Sequence, residues 1–313
     1  MRWAQNYRRV ELHGVDTRLD YFEVDNVTYQ ALPLDDNSDK GLGINSSVFR
    51  AVLDDNGDTE SLVVKVCNYP IDLETKRFVA RRGRFEREIN AMRLSITMGK
   101  ENLVVALRGA GFVEVQHGPK KRTHQCFLME AAHKDLKEHL DGETAITLQQ
   151  RLLLCSDLIR SVGALHEIGV YHRDIKPANV LLCRGGWKIG DLGLVGFRDE
   201  DADAESREKI GPPPWMSPEA FNKAYCVRRP NNGFVDVCLD ERSDVFQLGK
   251  VCWHILQGDI PNGCLKRKDL VEGGESLFGT FLKPMLRYQR SERPLLSEIQ
   301  RRLVPILRQH SVQ

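Results

Sequence analysis

The chain has 313 residues, 41% of them apolar, enough to bury the core of one large two-lobed domain or two small ones. Its 45 Lys and Arg nearly cancel its 44 Asp and Glu, so the chain as a whole is not built to bind nucleic acid or an anionic membrane. The eight cysteines are scattered through apolar runs without a C-x-x-C pair, no apolar h-region follows Arg2, Arg8 and Arg9, and no stretch approaches the roughly 18 apolar residues of a membrane span, so a soluble, intracellular protein with reduced thiols is expected.

In chain order, Tyr21–Val24 and Val27–Leu32 read as strands, followed by a turn-rich connection from Asp35 to Lys40. Ser47–Leu53 and Ser61–Val66 flank Asp54-Asp55-Asn56-Gly57-Asp58, a strong hairpin signal. From Lys76 to Met98 the pattern changes to helical period, with Phe85, Ile89 and Met92 on one face. Two further strands are expected around Val104–Leu107 and Gln125–Met129. Beyond Asp135 the chain is mostly helical. A short helix fits Leu136–Leu140, and Leu148–Ile168 carries Leu152, Cys155, Leu158, Ile159, Val162 and Leu165 at the spacing of a buried face. Further helices fit Asp244–Leu256, Ser276–Leu286 and Leu295–Leu307, and Tyr225–Asp240 reads as a surface loop. A β-rich first part joined to a helical second part is an α+β plan.

One stretch carries chemistry that its residues share only in combination: His172-Arg173-Asp174-Ile175-Lys176-Pro177-Ala178-Asn179. A carboxylate at 174 can accept the proton of an attacking hydroxyl, an ammonium at 176 can neutralise a transferring phosphate, and a carboxamide at 179 can ligate magnesium. Downstream, the carboxylate of Asp191-Leu192-Gly193 suits a metal that bridges nucleotide phosphates. The first stretch resembles the catalytic loop of protein kinases, and the second resembles that family's Asp-Phe-Gly motif. Lys65 lies in an otherwise apolar strand, where a buried ammonium is costly unless paired. Leu62-Val63-Val64-Lys65 resembles the kinase V-A-I-K strand, whose lysine binds the α- and β-phosphates and pairs with a helix glutamate. Glu86 and Glu88 are the available partners. Glu88, followed by Ile89 and Met92, reproduces the family's spacing, and Glu86 lies about 160° away around the helix, in solvent.

The resemblance extends from about Tyr29 to Leu307 and implies a two-lobed kinase fold, with a small β-rich lobe over residues 29–130, the hinge and a larger helical lobe over 131–313, and residues 1–28 as an extension without an assigned role. Gly41-Leu42-Gly43-Ile44-Asn45-Ser46-Ser47-Val48 resembles the glycine-rich loop, with Ser46 in place of the third glycine and a slightly stiffer loop as the consequence. Cys126–Ala132 resembles the strand and hinge that hold adenine. By that resemblance Met129 is the gatekeeper, Glu130 C=O and Ala132 N–H face the purine edge, and Val48, Val63 and Leu181 sandwich the ring. Asp135 either reaches the ribose hydroxyls or caps the helix that follows it.

Ser217-Pro218-Glu219 resembles the motif closing the activation segment, and Glu219 is expected to form a buried pair with Arg293. Where serine/threonine kinases usually carry a threonine that touches the catalytic Asp and Lys, this chain has Pro212, the first of three consecutive prolines that would form a rigid docking wall. The implied function is ATP- and Mg²⁺-dependent transfer to serine or threonine of a protein substrate, with Lys176 favouring hydroxyl side chains over tyrosine. Pro212 and Ser46 would also suit a catalytically silent binding protein on the same fold, but Lys65, Glu88, Asp174, Asn179 and Asp191 are all present. A kinase-like enzyme acting on a small molecule would lack the peptide-docking framework of Ser217–Glu219, Asp244 and Arg293. Arg173 usually awaits an activation-segment phosphate; here Glu208 occupies the primary phosphosite position and Ser206 is the remaining candidate, so little or no phosphorylation is expected to be needed.

Overall fold

A computed structural model describes residues 1–6, 8–13, 20–34, 41–53, 61–142, 146–198, 211–225, 236–261, 263, 265–270 and 276–310. The chain forms two compact units: residues 1–97 with 105–132, and residues 98–104 with 133–313.

The first unit is an eight-stranded sheet. Its strands are β1 (Arg2–Ala4), β2 (Arg9–Glu11), β3 (Tyr21–Val24), β4 (Val27–Leu32), β5 (Ser46–Leu53), β6 (Leu62–Cys67), β7 (Leu107–His117) and β8 (Lys120–Glu130), in the order β2-β1-β7-β8-β6-β5-β4-β3. Pairing is antiparallel except between β1 and β7. Period-two alternation divides β6 between two faces. Val64 and Val66 join Val10, Phe22, Val24, Phe49, Ala51, Val113, Cys126 and Leu128 in one apolar core. Val63 and Lys65 point the other way, and Phe127, opposite Lys65 on β8, meets Phe85 of helix α1 (Lys76–Thr97) at a ring distance of 5.0 Å. Thr75 starts that helix by accepting the Phe78 N–H.

Three sequence expectations change here. Residues 1–28, set apart as an extension, supply β1, β2 and β3 of this same sheet. Val104 makes only an isolated bridge, to Ile189, and the strand begins at Leu107 with an irregular register between Leu107 and Gly109. The structural boundary falls after Ala132, and residues 98–104 belong to the second unit. The hairpin turn at 54–58 and the connection at 35–40 lie outside the described residues.

The second unit is built on α3 (Leu148–Glu167), started by a reciprocal cap between Thr147 and Gln150. Leu152, Leu158, Val162 and Leu165 are fully buried, as the spacing predicts. Packed on α3 are α5 (Glu241–Gln257) and α7 (Leu296–His310), and the unit also holds α2 (Leu136–Asp141), α4 (Pro218–Tyr225) and α6 (Lys283–Met285). Small ladders join β9 (Lys134–Asp135), β11 (Val180–Cys183) and β12 (Gly186–Ile189), and pair β10 (Val170–Tyr171) with β13 (Gly196–Phe197). The helix expected over Ser276–Leu286 is a π-helix over Leu277–Leu282 that passes into α6, with the Lys283 N–H reaching back to Phe278 O just before Pro284, which has no N–H to donate. No described helix is long and apolar enough to cross a membrane.

Candidate active site

In the first unit, Lys65 Nζ donates to both carboxylate oxygens of Glu88, at 2.8 and 2.9 Å, with both residues buried. The ammonium also lies 5.9 Å from the Phe127 ring centroid. Glu86 is exposed and accepts from Gln125 Nε2, so the two glutamates divide as the helical geometry predicts. Antiparallel register sets Val48, Lys65 and Phe127 in one row across the sheet and Arg50, Val63 and Met129 in the next. Val48, Val63, Lys65 and Met129 therefore share a face. Gly41 has φ +83°, and a Cβ there would lie 2.6 Å from Val48 O; at Gly43 a Cβ would lie 2.9 Å from Ser46 O. Both glycines of the loop are thus required by close backbone approach. Glu130 is buried and its side chain accepts the Ala106 N–H at 2.7 Å, whereas Ala132 is exposed.

In the second unit, Asp174 is the centre. Lys176 Nζ donates to its Oδ2 at 2.6 Å, and Asn179 Nδ2 donates to its carbonyl at 2.8 Å and to Oδ2 at 3.2 Å. Oδ1 is buried and accepts no hydrogen bond among the described residues. Burial pushes the Asp174 carboxyl above the usual carboxylate range, against the nearby Lys176 ammonium, and the charge of Asp191 adds to the rise. One oxygen of the carboxylate is held and the other is left unbonded among the described residues.

The backbone carrying Asp174 is clamped from α5. Asp244 accepts the N–H groups of His172 and Arg173, each at 2.7 Å. Gln247 donates to Arg173 O and accepts the Ile175 N–H, both at 3.0 Å. Arg173 has φ +67°, a conformation a non-glycine residue holds only when its surroundings over-determine it, as these four bonds do. His172 Nδ1 accepts the Asp174 N–H at 3.2 Å, so the ring proton sits on Nε2, which donates to Gly190 O at 3.0 Å. Asp174 is thereby tied to the residue preceding Asp191. Gln247 escaped the sequence reading, although its i, i+3 spacing from Asp244 puts both on one helix face. Asp191 is exposed with φ +57°. Leu181 pairs with Asp135 across β11 and β9. Asp135 caps α2, accepting the Glu138 N–H at 2.8 Å, so of the two roles left open for it the cap is present.

Asn179 and Asp191 fit a magnesium ion. The amide nitrogen of Asn179 is committed to Asp174, which leaves Oδ1 as its ligating atom. No three His, Cys, Asp or Glu side chains gather to hold a metal by themselves among the described residues. Two hard oxygen donors suit Mg²⁺, which completes its shell with water and phosphate oxygens.

Gly211 approaches Asp174 closely: a Cβ there would lie 3.0 Å from its Oδ1. The proline run beyond it is braced by α5, with Lys250 Nζ donating to Pro214 O at 2.6 Å and Trp215 meeting His254 edge-on. Arg293 and Glu219 form the expected pair, at 2.7 and 3.0 Å. Arg173 packs its guanidinium over Gly196 and donates to Leu239 O. Ser206 and Glu208 lie outside the described residues.

A family model described as the protein kinase domain matches residues 36–275, and the chain belongs to that family. Among curated relatives, a "Dual serine/threonine and tyrosine protein kinase" of Mus musculus is 31% identical over 165 residues, 52% of this chain and 16% of its own length. "Dual specificity protein kinase TTK" of the same species is 27% identical over 135 residues, 43% of this chain and 16% of its own. A putative serine/threonine-protein kinase/receptor of Acanthamoeba polyphaga mimivirus is 27% identical over 180 residues, 52% of this chain and 10% of its own. The matched stretch thus spans well under two thirds of each relative. Kinase domains of this family generally use ATP and magnesium.

Proposed function

We propose that the chain is a protein kinase that transfers the γ-phosphoryl group of ATP to serine or threonine hydroxyls of a protein. The observation carrying this reading is the Asp174 carboxylate, with Oδ2 held by Lys176 and Asn179 and Oδ1 unpartnered among the described residues. Oδ1 accepts the proton of the acceptor hydroxyl as the oxygen attacks phosphorus. Lys176 faces both the base and the transferring phosphoryl group, and offsets the charge that develops there. Lys65, oriented by Glu88, holds the α- and β-phosphates, and the backbone of Gly41, Gly43 and Ser46 covers them. Val48, Val63 and Leu181 enclose the adenine, Met129 limits its depth, and Glu130 C=O and Ala132 N–H bond its edge. Asp135, already a helix cap, offers its second carboxylate oxygen to the ribose. Asn179 and Asp191 hold magnesium, which when bound neutralises phosphate charge.

A second reading is favoured by the printed names of two relatives: transfer to tyrosine as well. Lys176 still favours aliphatic hydroxyls. A time course of ATP turnover with serine, threonine and tyrosine peptides, and with no acceptor, decides among them. Transfer to serine and threonine alone is expected; equal transfer to tyrosine would establish dual specificity, and no acceptor-dependent turnover would remove the kinase reading.

A further inference from the structure

Asn68, the residue after β6, is completely buried although it is an amide, and no role above uses it. Its Oδ1 accepts from the Val10 N–H at 2.9 Å and the Ser47 hydroxyl at 3.1 Å, and its Nδ2 donates to Gly43 O at 2.7 Å. Its backbone N–H donates to Asn45 O at 3.0 Å. The neighbouring Tyr69 hydroxyl lies 3.4 Å from Ile44 O, and Arg81 of α1 donates to Asn45 Oδ1 at 2.8 Å. Three successive carbonyls of the glycine-bearing loop, at 43, 44 and 45, thus point back to the scaffold. A peptide is planar and trans, so each N–H lies opposite the preceding C=O. The N–H groups of Ile44, Asn45 and Ser46 therefore face the other way, an arrangement of successive donors suited to an anion. Leu42 at the base of the loop packs on the sheet's core, but Ile44 at the tip is 75% exposed, so the tip is held by hydrogen bonds.

The other arm of Asn68 reaches β2, at the edge of the sheet. Val10 pairs with Trp3 of β1, and Trp3 stacks on His117 of β7 at a ring distance of 4.9 Å. Instead of joining the ladder, the Val10 N–H is taken by Asn68. One buried amide therefore connects a strand pair outside the matched family segment to the loop inside it.

We propose that Asn68 is the positioning residue of the Gly41–Ser46 loop and that it couples the loop to the β1–β2 strand pair, so that docking of this pair sets affinity for the nucleotide's phosphates. The inference rests on reading that loop as the cover of the ATP phosphates. Without Asn68 the Gly43 carbonyl loses its donor, the peptide is free to rotate, and the row of N–H groups loses its common direction.

The test uses the full chain and compares dissociation constants for Mg-ATP and for adenosine, which lacks phosphates. Asn68→Ala is expected to weaken Mg-ATP about fivefold, the effect of roughly one hydrogen bond, with adenosine unchanged. Val10→Pro removes the N–H that donates to Asn68 and exchanges one buried apolar side chain for another, and is expected to weaken Mg-ATP about twofold with adenosine unchanged. The double variant should be no weaker than Asn68→Ala, because both act through one connection. Equal losses for ATP and adenosine, unaltered ATP binding, or additive effects would each overturn the proposal. If Asn68→Ala does not fold, Val10→Pro decides alone on the ATP-to-adenosine ratio. Wild-type protein that binds neither ligand removes the ATP reading and this inference together, whereas wild-type binding with insensitive variants removes only the inference.

Discussion

Asp174 and Asp244 are buried carboxylates of the same unit, and they are treated in opposite ways. Asp244 is fully buried and accepts from His166 Nε2 and from the N–H groups of His172 and Arg173. Burial by itself would raise its carboxyl; the hydrogen bond and charge of His166 and the Arg173 N–H outweigh it and hold the group below the ordinary carboxylate range. Asp174 keeps one oxygen unpartnered among the described residues, and burial lifts its carboxyl above that range. A carboxylate whose acceptors are all used stabilises the fold. One that is desolvated and left half-used costs stability and is ready to take a proton. Glu219 belongs with Asp244: Arg293 uses both its oxygens and spends its remaining donors on the carbonyls of Arg287, Arg242 and Tyr288.

Exchanging the roles of these groups should separate activity from stability. Asp174→Asn is expected to lower turnover by about 10²–10⁴-fold with Mg-ATP affinity nearly unchanged. Turnover at the wild-type rate would remove the base assignment. Arg293→Ala should instead cost about 3–5 kcal/mol in denaturant unfolding, because Glu219 is left as a buried charge without its partner. Replacing both members by apolar residues should restore much of that loss. Lys65→Ala stands between these cases: turnover should fall strongly with a smaller loss of stability, read as kcat against the unfolding midpoint. A loss as large as that of Arg293→Ala would show Lys65 and Glu88 to be chiefly structural.

The same contrast sets the pH dependence. For Asp244 the folded carboxyl is depressed, so its contribution is present above the unfolded value of about 3.9 and is lost as pH falls through the folded one. Asp174 has the opposite sign. Its folded carboxyl is raised, the native state binds the proton more tightly than the unfolded chain, and stability declines as pH rises through the interval between the two values. Thermal melts of Asp174→Asn against wild type should therefore favour the variant near neutral pH and converge below about pH 4. A variant uniformly less stable at every pH would mean that the contacts from Lys176 and Asn179 outweigh the desolvation.

The legible part of this molecule is local. The His172–Asn179 and Asp191 spacings, the apolar face of α3 and the choice of Glu88 over Glu86 follow from residues close in sequence or on one element. What escaped depends on distant partners. Asn68 gains its role from residues 10, 43, 45 and 47, and His172 from Gly190, and no period encodes either. The strands Arg2–Ala4 and Arg9–Glu11 are too short to alternate. At β7, Gly109 and Gly111 weaken the strand signal where pairing with β8 carries the strand on, while the apolar run Val104–Ala106 imitates one.

The smallest expected effect tests why Asp174 Oδ1 lacks a partner among the described residues. Gly211 stands against that oxygen, and the next residue, Pro212, has neither a hydroxyl nor an N–H to donate. Pro212→Thr introduces a hydroxyl one residue beyond that contact. Bonded to Oδ1, it would favour the ionised carboxylate and lower the raised carboxyl. The acid limb of kcat/KM, which reports protonation of the free enzyme's base, should move to lower pH, while the alkaline side is unchanged. Because the hydroxyl also competes with the substrate for Oδ1, a modest fall in the plateau rate is expected alongside the shift. An acid limb that stays in place, in a variant of normal stability, would show that a hydroxyl at 212 does not reach Oδ1 and that Pro212 acts only on how the acceptor docks.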